Sequence, residues 1–168
     1  MFAILLLIFP MLAFSDYCGD HKIPYGVEVH KNGKLRLLCT RPNCHEKKYA
    51  ECPERADQQS CTSNSSWVGG LEQNADGELT LRCCEYDLLS EYATIQFMDL
   101  PIHAGEYFEG EEKMDGDAVV EFDLIGNIVP KIDENGTSYL LTVYRYHCGD
   151  IPDAPPNWYI PNQWPYFK

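Results

Sequence analysis

Positive charge is scarce in this sequence. Lysine and arginine number 13 among 168 residues, against 26 aspartates and glutamates, for a formal net charge of -13. Nucleic acid and anionic membrane surfaces are bound through cationic side chains, so both are poor partners for such a chain. Long hydrophobic runs are missing too. The apolar stretch near the start is shorter than the roughly 20 residues a membrane-spanning helix needs. The eight cysteines include no Cys-x-x-Cys spacing, which removes the usual zinc frameworks. There is no His-Glu-x-x-His pair, no Gly-x-Ser-x-Gly elbow and no phosphate-binding loop. No internal repeat of fixed period is present.

Residues 1–15 carry no charged side chain, and Ala13-Phe14-Ser15 places small residues where a signal peptidase reads them. This predicts a signal peptide over 1–15, cleavage before Asp16 and export. An even number of irregularly spaced cysteines in an exported chain implies a disulfide framework built from Cys18, Cys39, Cys44, Cys52, Cys61, Cys83, Cys84 and Cys148. Two acceptor motifs, Asn64-Ser65-Ser66 and Asn135-Gly136-Thr137, predict glycosylation at Asn64 and Asn135.

The adjacent pair Cys83-Cys84 lies in Leu79-Thr80-Leu81-Arg82-Cys83-Cys84, whose alternation reads as a strand. Neighbouring side chains on a strand point to opposite faces. One sulfur is therefore expected to reach the cysteine-rich head and the other Cys148. A bond within the pair would be strained.

Asn32-Gly33 between two alternating segments predicts a hairpin with a two-residue type I′ turn. Its exposed positions carry Lys31, Lys34 and Arg36. Residues 74–77 (Asn-Ala-Asp-Gly) predict a second hairpin and Asn135-Gly136 a third, with Pro130 marking an edge strand. Gly69-Gly70 predicts a bulge or a close backbone approach. Residues 46–50 and 54–59 are candidates for helical turns. Pro101 is expected to end the strand over 93–98. Residues 105–116 read as a long loop, and 118–124 as a strand with Val120, Phe122 and Leu124 on one face and Glu121 and Asp123 on the other. The expected class is all-β, or mainly β with one short helix, in a disulfide-stapled, antiparallel, sandwich-like domain over 16–148. Residues 149–168 form a Pro/aromatic-rich tail with Trp158, Tyr159, Trp164, Tyr166 and Phe167. Proline at that density opposes helix and sheet. The tail either contacts a partner through these aromatics or lies back on its own sheet.

The charge is uneven: basic residues outnumber acidic ones over 22–55, and acidic residues dominate afterwards. Residues 105–123 are densely acidic, and hard cations prefer oxygen ligands. The spacing does not meet the EF-hand pattern, so a solvated acidic segment ranks above a calcium site. His21, His30, His45, His103 and His147 form no metal pair, and a disulfide would consume the thiol of Cys44-His45. No catalytic residue, metal ligand or cofactor is assigned, and the expectation is a non-enzymatic protein.

The chain resembles the N-terminal Wart domain of the Warthog family, hedgehog-related secreted proteins of nematodes. The resemblance rests on Cys18-Gly19, Ile23-Pro24-Tyr25-Gly26-Val27-Glu28-Val29, Leu37-Leu38-Cys39 and Arg41-Pro42-Asn43-Cys44. It continues through Cys52-Pro53, Ser65-Ser66-Trp67-Val68-Gly69-Gly70, Cys83-Cys84, the run from Gly105-Glu106-Tyr107-Phe108 to Glu112, and Leu141-Thr142-Val143-Tyr144-Arg145. Many relatives carry a self-cleaving Hog module. The twenty residues after Cys148 leave no room for one, so autoproteolysis and sterol attachment are not expected. The resemblance implies an extracellular signalling ligand in development, with a cell-surface receptor as partner. The alternative is a structural component of apical or cuticular matrix, in which regions of opposite charge associate between molecules. An extracellular metal-dependent hydrolase using Glu109, Glu111 and Glu112 ranks below both.

Overall fold

A computed structural model describes residues 14–19, 22–41, 44, 50–133 and 136–149. Ten strands and one short helix follow in order: β1 Phe14–Tyr17, β2 Ile23–Val29, β3 Leu35–Thr40, β4 Ser66–Gln73, β5 Leu79–Glu85, α1 Leu89–Tyr92, β6 Ala93–His103, β7 Tyr107–Glu109, β8 Glu112–Asp115, β9 Ala118–Asp133 and β10 Gly136–His147. They form three sheets, ordered β1-β4-β5, β3-β2-β7 and β6-β10-β9-β8. Every described strand pairing is antiparallel. The mainly-β, disulfide-stapled class expected from sequence is the class found.

All three sheets contribute to a first core. It contains Val27 and Val29 of β2, Leu35 and Leu37 of β3, Val68 and Leu71 of β4, Leu81 and Cys83 of β5, and Ile125, Ile128, Leu141 and Val143 of β9 and β10. A second core holds Trp67, Cys84, Leu89, Phe122, Leu124, Tyr144 and Tyr146. Trp67 and Val68, Cys83 and Cys84, and Val143 and Tyr144 are chain neighbours split between the two cores, because adjacent strand residues face opposite ways. Phe122 stacks on Tyr146 with ring centroids 5.1 Å apart.

The first hairpin, β2–β3, forms where Asn32-Gly33 placed it, but with a different turn. His30 N–H donates to Lys34 O, Gly33 N–H donates to His30 O, and of the two central residues Gly33 alone has positive φ, +79°. This is a three-residue loop closed by a left-handed glycine. The β4–β5 loop repeats it, with Gly77 at φ +86° and Asn74 Oδ1 accepting N–H bonds from Asp76 and Glu78. The third hairpin joins Asp133 to Gly136; Asn135 itself lies outside the described residues.

Several local expectations are corrected. Residues 54–59 are not helical: Gln58 bridges to Leu81 of β5 and Glu51 to Glu85, so this connection runs along β5. The helix is α1 instead. Residues 46–49 lie outside the described residues. Pro101 does not end β6. It pairs with Leu140 on a strand at the sheet's edge, where a missing N–H costs no ladder bond. The register shifts around Thr142, and Asp99 there has φ +55°. The expected loop over 105–116 contains β7 and β8, whose backbones pair with β2 and β9. Their side chains are nearly all exposed, so no hydrophobic period marks them as strands.

β9 is one strand of 16 residues rather than two. Its register to β8 skips Val120, which puts Val119 inside and leaves Val120 37% exposed. Glu121 and Asp123 do face away from Phe122 and Leu124, but Asp123 is buried at 2% exposure rather than solvated. A second register shift skips Gly126, where any Cβ would fall into the Tyr144 ring. Pro130 lies beyond the reach of β8, on a locally unpaired edge as expected. The Gly69 prediction holds in both senses: the β4–β5 register skips Gly69, and a Cβ there would collide with the Cys84 sulfur.

Candidate functional site

The densest chemistry among the described residues lies where β9, β10 and β8 meet. Register sets Arg145 opposite Asp123 and His147 opposite Glu121. The guanidinium grips Asp123 with two bonds: Nε to Oδ1 at 2.8 Å and a terminal nitrogen to Oδ2 at 2.9 Å. Asp123 Oδ2 also accepts the Glu111 backbone N–H at 3.0 Å. Gly110 is required here, since a Cβ would lie 2.6 Å from Tyr25 O and against Asp123. Around this pair, Arg145 reaches Glu111 at 3.4 Å and Glu121 at 3.9 Å, and Lys113 reaches Glu121 at 2.6 Å. His147 Nδ1 lies 3.2 Å from Glu121, and its Nε2 lies 3.2 Å from the Thr94 hydroxyl. The network ties the acidic β7–β8 segment to the central strands.

Burial by itself would raise the Glu121 carboxyl. The Lys113 ammonium, with His147 and Arg145 beyond it, outweighs that and holds the group below its ordinary value of 4.5. Desolvation pushes the His147 imidazole below its ordinary 6.5 despite the pull of Glu121. Both folded values lie below the unfolded ones. Each contribution is therefore present above the unfolded value and lost as pH falls. Acidification should lower the urea midpoint in two stages, the first starting near 6.5 from His147 and the second below 4.5 from Glu121. The replacement His147→Gln should remove the first stage only. A midpoint that stays flat between neutral pH and the second stage would contradict this assignment.

These groups are bound to one another across three strands. Asp123 is committed to Arg145, the buried Tyr144 hydroxyl is pushed up by desolvation, and all eight cysteines are in disulfides. Among the described residues, no three His, Cys, Asp or Glu side chains are grouped to hold a metal ion. Glu109 accepts the Tyr25 hydroxyl at 2.9 Å, Glu111 faces Arg145, and Glu112 is exposed on β8. The three do not converge on one point. Sequence reasoning missed the Asp123–Arg145 pair. Its one signal was an arginine between Tyr144 and Tyr146 in an otherwise apolar run.

The bridges are Cys18–Cys39, Cys44–Cys148, Cys52–Cys84 and Cys61–Cys83. Cys83 and Cys84 do face opposite ways, but both reach the head. Cys148 binds Cys44, not the pair, which corrects the expectation. The physical reason is the connection along β5. Because Glu51 and Gln58 bridge to that strand, Cys52 is delivered to one face and Cys61 to the other. The Cys61 N–H is held by Asn127 Oδ1 at 2.9 Å.

Phe14 and Ser15, read as the end of the leader, pair with Gln73 and Glu72 in β1, while the Asp16 carboxylate accepts the Leu37 N–H at 2.7 Å. Asn64 is exposed in the turn before β4. Trp158, Tyr159, Trp164, Tyr166 and Phe167 lie outside the described residues, as do His21 and His45.

A second surface lies at the far end of β6. Leu100, Pro101, Ile102, Glu106, Tyr107 and Phe108 line an open groove of about 460 Å³. Tyr107 is 68% exposed, and Phe97 meets Phe108 edge-on at 6.0 Å.

Four bridges on a β framework define a disulfide-bonded β domain consistent with an extracellular protein. No described helix is long and apolar enough to cross a membrane. The chain belongs to the Warthog family: the family model for the Warthog N-terminal signalling domain matches residues 15–149. Warthog protein 5 of Caenorhabditis elegans is 63% identical over 155 residues, which cover 92% of this chain and 88% of that one. Warthog protein 3 of the same organism is 48% identical over 171 residues, covering 100% of this chain and 94% of the relative. Warthog protein 1 is 27% identical over 188 residues, covering 86% of this chain and 38% of that protein. No solved structure matches the chain.

Proposed function

We propose that this protein is a secreted, non-enzymatic, hedgehog-related signal that acts in development by binding an extracellular protein at the surface of receiving cells. The observation that carries the reading is the signalling-domain match over 15–149 to a fold in which all eight cysteines are bridged. Residues 1–15 direct export and are removed before Asp16, and Asn64 and Asn135 carry glycans. The matrix alternative rests on association between regions of opposite charge, which salt should weaken.

The test uses the tagged full chain expressed in secretory cells. It should appear in the medium and bind responsive cells saturably, with displacement by untagged protein. Non-saturable cell binding, together with detergent-resistant retention in cuticle, would replace the signalling reading with the matrix one.

A further inference from the structure

β7 is a strand of three residues at the edge of its sheet, paired with β2 alone among the described strands. Register sets Phe108 opposite Val27 and Tyr107 opposite Glu28. Val27 and Phe108 pack on the first core, so Tyr107 points outward. Tyr107 is 68% exposed, and it is the one exposed tyrosine among those described. The others are engaged or buried. Tyr25 donates to Glu109, Tyr139 donates to Gly33 O, Arg82 lies over the Tyr17 ring, and Tyr86 and Tyr92 pack against Tyr146. Tyr144 is 1% exposed.

The sequence around that hydroxyl is anionic. Glu106, Glu109, Glu111 and Glu112 flank Tyr107, and no lysine or arginine lies between Arg82 and Lys113. Gly105, at φ +89°, and Gly110 bracket the segment. No cysteine lies between Cys84 and Cys148, so no bridge staples it. A short edge strand held from one side and free of bridges is among the parts of a fold that open most readily. A modifying enzyme can therefore take the segment in extended form while the cores stay packed. Tyr86 gives the contrast. It too stands between carboxylates, Glu85 and Asp87, but its ring packs against the second core.

We propose that Tyr107 is a site of O-sulfation, modified as the folded protein passes through the secretory pathway. The co-substrate class is a nucleotide phosphosulfate. The Tyr107 oxygen attacks its sulfur, and the bond from that sulfur to the bridging phosphate oxygen breaks. The nucleotide leaves with this oxygen and the electron pair, and the phenolic proton passes to a base of the sulfotransferase. Nothing is oxidised or reduced. An enzyme that holds so anionic a donor needs a cationic cleft, and such a field draws in an acidic segment. The product carries a fixed negative charge at the mouth of the groove formed by Leu100, Pro101, Ile102 and Phe108. Glu28 stands across the strand, so the new charge gains no partner there. It is left for a cationic group on the protein that binds this surface. Sulfation at Tyr107 rests on the export proposed above, and it adds the chemistry of the partner: basic, with an apolar anchor for the groove.

The test uses the full chain expressed in secretory cells fed radioactive sulfate, with the protein recovered from the medium. Label should enter the parent protein and survive enzymatic removal of N-linked glycans. Mass spectrometry of the same material should place a sulfuryl group on Tyr107 that phosphatase does not remove. Tyr107→Phe keeps the ring, should be secreted as well as the parent, and should lose the label. Chlorate, which blocks sulfate activation, should remove it from the parent. Secreted protein with an unmodified Tyr107 overturns the proposal and leaves the export reading standing. So does sulfate found on Tyr86 in place of Tyr107, and so does a group at Tyr107 that phosphatase removes. A chain that never reaches the medium overturns the export reading, and this proposal with it.

Discussion

Replacing Arg145 with methionine should lower the unfolding free energy by about 3–5 kcal/mol, measured by urea denaturation with the disulfides intact. The magnitude follows from what is left behind. Asp123 is 2% exposed and takes two guanidinium bonds at 2.8 and 2.9 Å. Without them the carboxylate keeps the Glu111 N–H and an uncompensated charge in a place water does not reach. A buried charge that has lost its partner costs far more than the pair contributed. The double replacement Asp123→Asn with Arg145→Met should therefore recover much of the loss, because both charges leave together. Glu111 gives the contrast. Its side chain is 72% exposed and lies 3.4 Å from Arg145. Glu111→Gln should change stability by less than about 1 kcal/mol, the range of screened surface pairs. If Arg145→Met cost as little as Glu111→Gln, the network would not be the clamp described here.

Converting both Cys44 and Cys148 to alanine should cost about 4 kcal/mol, more than the loss of any other bridge on chain-entropy grounds. The bridge spans 104 residues, against 21, 32 and 22 for the others. The Cys52–Cys84 bridge lies inside that loop and shortens it, but loop entropy is logarithmic in length, so the reduction is only about 0.3 kcal/mol. The native state also loses an anchor, since Cys44 and Cys148 pack against the core that contains Phe122 and Tyr146. Non-reducing peptide mapping checks the connectivity before the energetics. Cys148 should be recovered joined to Cys44. A peptide joining Cys148 to Cys83 or Cys84 would overturn both the pairing and the ordering of losses.

The strand signals that survive in the sequence are those made by local geometry. Gly33 and Gly77 mark hairpins because a tight loop needs a residue at positive φ. Both were legible, although the turn type at Gly33 was not. Gly69 and Gly126 matter for another reason, the approach of Cys84 and of the Tyr144 ring, and those neighbours are distant in sequence. β7 and β8 were invisible because their backbones pair while their side chains face solvent. The bulges of β9 shifted the alternation twice, and the first sent Val120 outward; Asp123 keeps the face that alternation gave it and is buried because Arg145 and the Gly110-Glu111 backbone close over it.

The sequence by itself determined that this is a cysteine-bridged β protein of the Warthog family, and that Cys83 and Cys84 face opposite sides of one strand. These follow from composition, from a period of two and from residues that define the family. Only the tertiary structure decided where each sulfur goes, which acidic residues are buried and which sheet edge is left open. Those depend on how the 50–61 connection lies along β5 and how β9 registers against β8 and β10. Such pairings join residues far apart in the chain, and no local pattern encodes them.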